Sequence, residues 1–451
     1  MIRFVRAEIA RLSTTLASPR LRRSTLQIVP FWVGGALTGL VAVGYARAFA
    51  LLEQGFAVAS AGNAWIVALA CPLALVISWA LAYFLSPEAA GSGIPQLMAA
   101  AEPGADRKLV DRLLGPRTAV IKVVSSCAAM AGGAAIGREG PTLQISGAIF
   151  RAVHSHLPRF WPRIPPASML LAGGAAGLAA AFNTPLGGIV YAIEELARSH
   201  IASFRSGVLH AVLTAGLVAQ ILIGPYLYLG FPRLGVWSNR DLPACVALGA
   251  AAGLVGAIWA RALFAAVRYR GRLRGPRAQG GFALLAGLAF AGLVLLTGPT
   301  TLGSGRGVIE QLLFEDSAPS EPGIVLGRLS GSFLSFAAGG AGGIFAPALA
   351  SGAALASAMA PAFAPVEPRL LIVLGMVAFL TGVTRTPFTS FVLVLEMTDR
   401  HSALFPMMIG AMSGYAAAHL VDHESFYERV RATILPSGPP STDGTPAPPA
   451  P

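Results

Sequence analysis

Gly137-Arg138-Glu139-Gly140-Pro141 is the stretch whose reading decides this fold. It lies between two apolar runs, residues 120–136 and 143–150. A charged pair inside membrane-length hydrophobic sequence is costly and is kept chiefly for transport or proton relay. The flanking glycines and the following proline let the backbone break there. A broken helix at membrane depth is tolerated only where it lines a cavity or is buried in protein. The motif therefore reads as a gate in an ion pathway.

The surrounding composition agrees. Of 451 residues, 55% are hydrophobic and only 12% charged, with a mean hydropathy of +0.66. Soluble domains carry about 25% charged residues, so this chain is a polytopic membrane protein. Residues 31–52, 64–85 and 403–420, and the shorter run 282–296, approach the ~20 apolar residues that cross a bilayer. The net charge of +12 calls for no nucleic acid. Arg3, Arg6, Arg11, Arg20, Arg22 and Arg23 precede the first span, and Arg268, Arg270, Arg272, Arg274 and Arg277 form a second cluster. Both are expected on the cytoplasmic side. Cys71, Cys127 and Cys245 lie in apolar segments without metal or disulfide spacing, and the seven histidines are scattered; no metal and no cofactor are expected. No cleavable signal is evident, because the apolar run after Gln27 is too long for one.

The expected organisation is a basic cytoplasmic segment over residues 1–27, a transmembrane domain over 28–435, and a disordered Pro-rich tail over 436–451 with no room for a regulatory domain. An internal repeat divides the membrane region at about residues 30–220 and 240–435. Gly91-Ser92-Gly93 pairs with Gly303-Ser304-Gly305; Gly133, Gly137 and Pro141 with Gly339, Gly343 and Pro347; Thr184-Pro185 and Glu194 with Thr386-Pro387 and Glu396. Three pairs in the same order point to an evolved repeat, and transporters commonly carry inverted ones with binding sites at discontinuous helices.

Three glycine-flanked breaks predict helix starts. Pro95 after Ser92-Gly93-Ile94 favours a start near Ile94, since proline suits a first helical turn. Gly343-Ile344-Phe345-Ala346-Pro347 predicts a second start near Phe345, and the Glu139 motif a third. Helix N-termini offer unpaired N–H groups and the positive dipole end, a ready anion site without a cationic side chain. Conduction needs such favourable but weak binding. Any one break alone fits glycine-mediated helix packing; three together with a buried Glu favour an anion site.

These residues resemble the three signature motifs of the CLC chloride channel and chloride/proton antiporter family. Residues 173–195, with Ala180-Ala181-Phe182-Asn183-Thr184-Pro185, the segment Leu395-Glu396-Met397-Thr398-Asp399, and Ser425-Phe426-Tyr427 extend the resemblance over about residues 30–435. It implies an all-α membrane protein of two inverted repeats of tilted and broken helices, assembled as a homodimer in the cell membrane. It also implies roles. Chloride would be held by Ser92 with Gly93, by the backbone of Ile344 and Phe345, and by Tyr427. Glu139 would be the external gate, Glu195 the internal proton acceptor, with Arg138, Gly140 and Lys122 in support. A carboxylate and a chloride would compete for one helix-terminus site, which links proton and anion movement. The sequence departs from the family where Gln96 and Met98 replace acids, leaving Lys122, one of two lysines, without its usual partner, and where Ala341 replaces a common proline.

The leading expectation is a proton-coupled chloride antiporter; Glu195 favours it over a passive voltage- or pH-gated chloride channel. Ser92 favours chloride over nitrate, and fluoride-type members usually depart from these motifs. A cation-coupled organic solute transporter would want carbonyl and carboxylate ligands and a larger cavity, and no metal-ligand spacing or nucleophile elbow suggests an enzyme.

Overall fold

A computed structural model describes residues 19–435, apart from 103, 197–205, 225–227, 236 and 316–318. The segment 1–18 and the tail expected over 436–451 lie outside the described residues. Every named element is helical. The first half comprises α1 (Pro19–Ser60), α2 (Ala64–Ala80), α3 (Ile94–Ala101), α4 (Arg107–Leu113), α5 (Pro116–Met130), α6 (Glu139–Ser155), α7 (Pro166–Phe182), α8 (Pro185–Tyr191) and α9 (Ser206–Ile223). The second comprises α10 (Leu242–Arg272), α11 (Gly275–Thr297), α12 (Arg306–Phe314), α13 (Pro322–Ala337), α14 (Phe345–Met359), α15 (Pro368–Thr384), α16 (Pro387–Thr398), α17 (Leu404–His419) and the closing α18 (Phe426–Ile434). Helix α1 runs through the boundary expected near residue 28 without a break. The run expected over 282–296 belongs to the longer, 23-residue α11. Six stretches among the described residues are long and apolar enough to span a bilayer. Others fall short: at 1.5 Å per residue, the eight residues of α3 rise only about 12 Å.

The repeat seen in the sequence is also a repeat of packing. Helix α1 lies on α9 as α10 lies on α17, and α6 on α7 as α14 on α15. Helices α7 and α15 are apolar on all sides and form the centre, buried almost throughout. Each ends in a left-handed residue, Asn183 or Arg385, followed by Thr-Pro opening the next helix. Contacts between the halves are reciprocal. Glu194 accepts from the N–H groups of Phe388 (3.0 Å) and Thr389 (2.6 Å) at the start of α16, while Glu396 accepts from Leu186 (3.0 Å) and Gly187 (2.6 Å) at the start of α8. Gly137 and Gly343 exchange both backbone hydrogen bonds, at 2.8 and 2.7 Å. Equivalent residues that meet each other mark a local two-fold axis.

Candidate functional site at three helix starts

The loops ahead of α3, α6 and α14 are stitched into one unit by their backbones. Besides the Gly137–Gly343 exchange, Gly91 N–H donates to Gly340 O (2.9 Å) and Gly342 N–H to Gly91 O (3.1 Å). This pairing satisfies backbone groups that would otherwise be stranded in a dry interior. It also brings the first turns of all three helices together. The expected starts hold: α3 opens at Ile94, α6 at Glu139 and α14 at Phe345. The approach is tight. Gly93 caps α3 at φ +105, a conformation that favours glycine. A Cβ on Gly140 would run into the Ser92 hydroxyl.

A buried lysine shapes this loop from behind. Lys122 on α5 is wholly buried, and its Nζ donates to Ala89 O and Gly91 O, both at 2.8 Å. Gln96 helps, its amide donating to Ala90 O at 2.8 Å. The lysine left without an acidic partner in the sequence thus takes backbone carbonyls instead. The alanine at 341 has its own account. Its N–H donates to Ser125 Oγ at 3.1 Å, and proline has no N–H to give.

Each side chain singled out in the sequence has a definite place. Glu139 is buried, its carboxylate close to its own N–H and to that of Ala346 in the first turn of α14. Its Oε2 has no hydrogen-bond partner among the described residues. Arg138 reaches Ala181 O at 3.4 Å. Ile344 and Phe345 are buried at the α14 start, with Phe345 against Phe182 (5.8 Å between centroids) and Tyr191 (6.4 Å).

Tyr427 comes from the far end of the chain on α18. The first turn of α18 is fixed by a capping box, Glu428 N–H to Ser425 Oγ at 3.1 Å and Ser425 N–H to the Glu428 carboxylate at 2.8 Å. Arg431 ties the helix to Glu102, the residue closing α3, at 2.9 Å. Tyr427 is thereby buried facing Ser92, within electrostatic reach of both Glu139 and Glu195. The Ser92 and Tyr427 hydroxyls reach hydrogen-bond geometry with no group among the described residues. Two buried hydroxyls without hydrogen-bond partners beside three helix starts leave donors to spare.

Glu194 and Glu195, nearly indistinguishable in the sequence, separate here. They sit in a π-helical turn, Ala192–Leu196, a geometry frequent at functional sites. Glu194 caps α16; Glu195 is 2% exposed. The sequence reading missed Ser125, Glu53 and Arg328. Arg328 was detectable, because it stands at the offset from Lys122 that relates Gly133 to Gly339.

The geometry describes a helical membrane protein whose broken helices start at one buried centre. The family model for voltage gated chloride channels matches residues 73–419. The H(+)/Cl(−) exchange transporter ClcA of Citrobacter koseri is 32% identical over 437 residues, covering 89% of this chain and 87% of that protein. Among solved structures, a slow cyanobacterial Cl−/H+ antiporter superposes with a TM-score of 0.79 at 24% identity, covering 91% of this chain and 98% of that one. A CLC-type fluoride/proton antiporter gives 0.74 at 21% identity, covering 91% and 98%. The chain belongs to the voltage gated chloride channel, or CLC, family: it is a multi-pass, all-helical membrane transporter and not an enzyme.

Proposed function

We propose that this chain exchanges chloride for protons across the membrane. The observation that carries the reading is the place of Glu139: a buried carboxylate lies close to the first turn of α14, near the Ser92 and Tyr427 hydroxyls, which face each other and meet hydrogen-bond geometry with no group among the described residues. An anionic side chain in an anion-favouring cradle competes with a halide of the same charge. Protonation removes its charge and its claim on the cradle, so each proton taken up makes room for chloride. Chloride would be held by the Ser92 and Tyr427 hydroxyls and by the N–H groups of the α3 and α14 starts at Gly93, Ile344 and Phe345. Gly140 permits the close approach, and Lys122 and Arg138 brace the loops. Glu195, a second buried acid near Tyr427, supplies the inner proton station that a passive channel does not need. The similarity to chloride/proton exchangers at 32% identity supports chloride over fluoride; the fluoride antiporter shares the fold.

The two halves would lie inverted in the bilayer, with the two-fold axis in the membrane plane and the basic N-terminal segment in the cytoplasm. A homodimer would pair through the face around α8 and α16, where the repeat-related Leu186 and Phe388 are 59% and 53% exposed. The test is purified protein in liposomes under a chloride gradient, with a pH electrode outside. Exchange drives protons against their gradient; chloride movement with no proton movement would make the protein a channel.

A further inference from the structure

The second half rebuilds the first half's helix-start cradle, and fills it. Gly305 caps the nine-residue α12 at φ +87, as Gly93 caps α3. Behind it Arg328, wholly buried, donates through Nη1 to Thr301 O (3.1 Å), Leu302 O (3.0 Å) and Gly303 O (3.3 Å). This repeats the grip of Lys122 on Ala89 and Gly91 with a different cation. The halves then diverge. Where Ser92 Oγ has no hydrogen-bond partner, Ser304 donates to Glu53 of α1 through both its N–H (2.6 Å) and its hydroxyl (2.9 Å). Glu53 borders a cavity of about 290 Å³ that Gly133, Thr300 and Gln311 also line. Thr300 Oγ1 in that lining and Arg328 Nε behind it are buried polar atoms with no hydrogen-bond partner among the described residues.

We propose that the start of α12 is a second anion cradle, whose resident anion is the Glu53 carboxylate and which binds a free halide once that carboxylate is removed. The argument rests on reading the Ser92 start as a chloride site. A backbone N–H and a serine hydroxyl converging on one point, with a cation fixed behind them, recognise negative charge rather than a particular molecule. Glu53 meets that demand from within the chain, and is close enough to Arg328 for their charges to interact. Without it, Arg328 is a buried cation lacking its counter-charge, a costly arrangement that an anion entering through the cavity relieves. Glu53 is also within electrostatic reach of Glu139, so an ion here would act on the charge of that carboxyl group.

Bromide is the probe, because its anomalous scattering identifies it. Crystals of the full-length wild type, Glu53→Gln and Glu53→Ala would be soaked in bromide. The expected result is a peak within hydrogen-bond distance of Ser304 N and Oγ in both variants and none in the wild type. A peak between Ser92 and Tyr427 with none at Ser304 in either variant would overturn this inference alone; absence at Ser92 and Tyr427 would strike the proposed function instead. Should the variants fold poorly, thermal stability in bromide against gluconate gives a second reading. Bromide should stabilise Glu53→Gln more than the wild type, and adding Ser304→Ala should erase the excess. An equal bromide effect in wild type and variant would overturn it.

Discussion

The starts of α3 and α12 carry the same Gly-Ser-Gly, the same left-handed cap and a buried basic side chain behind the loop, yet they meet opposite ends. At α3 the serine hydroxyl faces Tyr427 and has no hydrogen-bond partner; at α12 it is taken by Glu53. What separates them is the side chain that arrives from elsewhere: a neutral phenol on α18 in one half, a carboxylate on α1 in the other. A helix start alone therefore does not make a transport site. It becomes one where the surrounding elements leave donors unsatisfied in a buried space. Under the proposed exchange, the α6 motif adds the competitor, since Glu139 lies close to the α14 start.

This contrast can be broken or sharpened by substitution. The largest effect is expected at Glu139. Glu139→Gln removes the charge that competes with chloride, so proton movement should vanish while chloride flux continues. Proton-driven chloride uptake by this variant in liposomes would overturn the gate assignment. Glu195→Gln should stop proton movement while leaving chloride binding intact, measured by a pH electrode beside a chloride electrode; unchanged pumping would count against that role.

Smaller effects test the scaffold. Lys122→Met strips the Ala89 and Gly91 carbonyls of their donor. Each buried polar group left unsatisfied costs about 1–3 kcal/mol, so thermal denaturation should show a loss of that order, with halide binding weakened because the Ser92 loop is released. Arg328→Met should destabilise by a similar amount and leave halide binding at Ser92 unchanged. An effect of similar size compares the serines. Ser92→Ala deletes one hydrogen bond to an anion, worth about 1.5–3 kcal/mol, and should weaken chloride binding at least tenfold by calorimetry. Ser304→Ala should leave the affinity as it was; equal losses in both would erase the distinction between the two cradles.

Much of this was legible in the chain itself, because helix starts have local causes. Glycine before the break and proline after it fixed the starts of α3, α6 and α14 within a residue or so. The paired motifs announced the repeat, and the Glu139 charge in apolar sequence marked the break at which it stands. Partnership was less legible. Lys122 seemed to have lost its acid, and only folding showed that backbone carbonyls satisfy it. Ala341 read as a bare departure until its N–H was found on Ser125. Glu194 and Glu195 are neighbours of identical chemistry, and a π-helical turn, which no composition encodes, sends one to cap α16 and buries the other.

The sequence by itself determined that this is a helical membrane protein of two related halves, where its helices break and which acid stands at the break. Those properties follow from hydrophobic run length, from glycine and proline backbone preferences, and from the cost of burying charge. Only the tertiary structure decided which donors are spent and which are spare. That depends on contacts between residues hundreds of positions apart, such as Tyr427 facing Ser92 and Glu53 seated on Ser304, and no local rule of the chain specifies them.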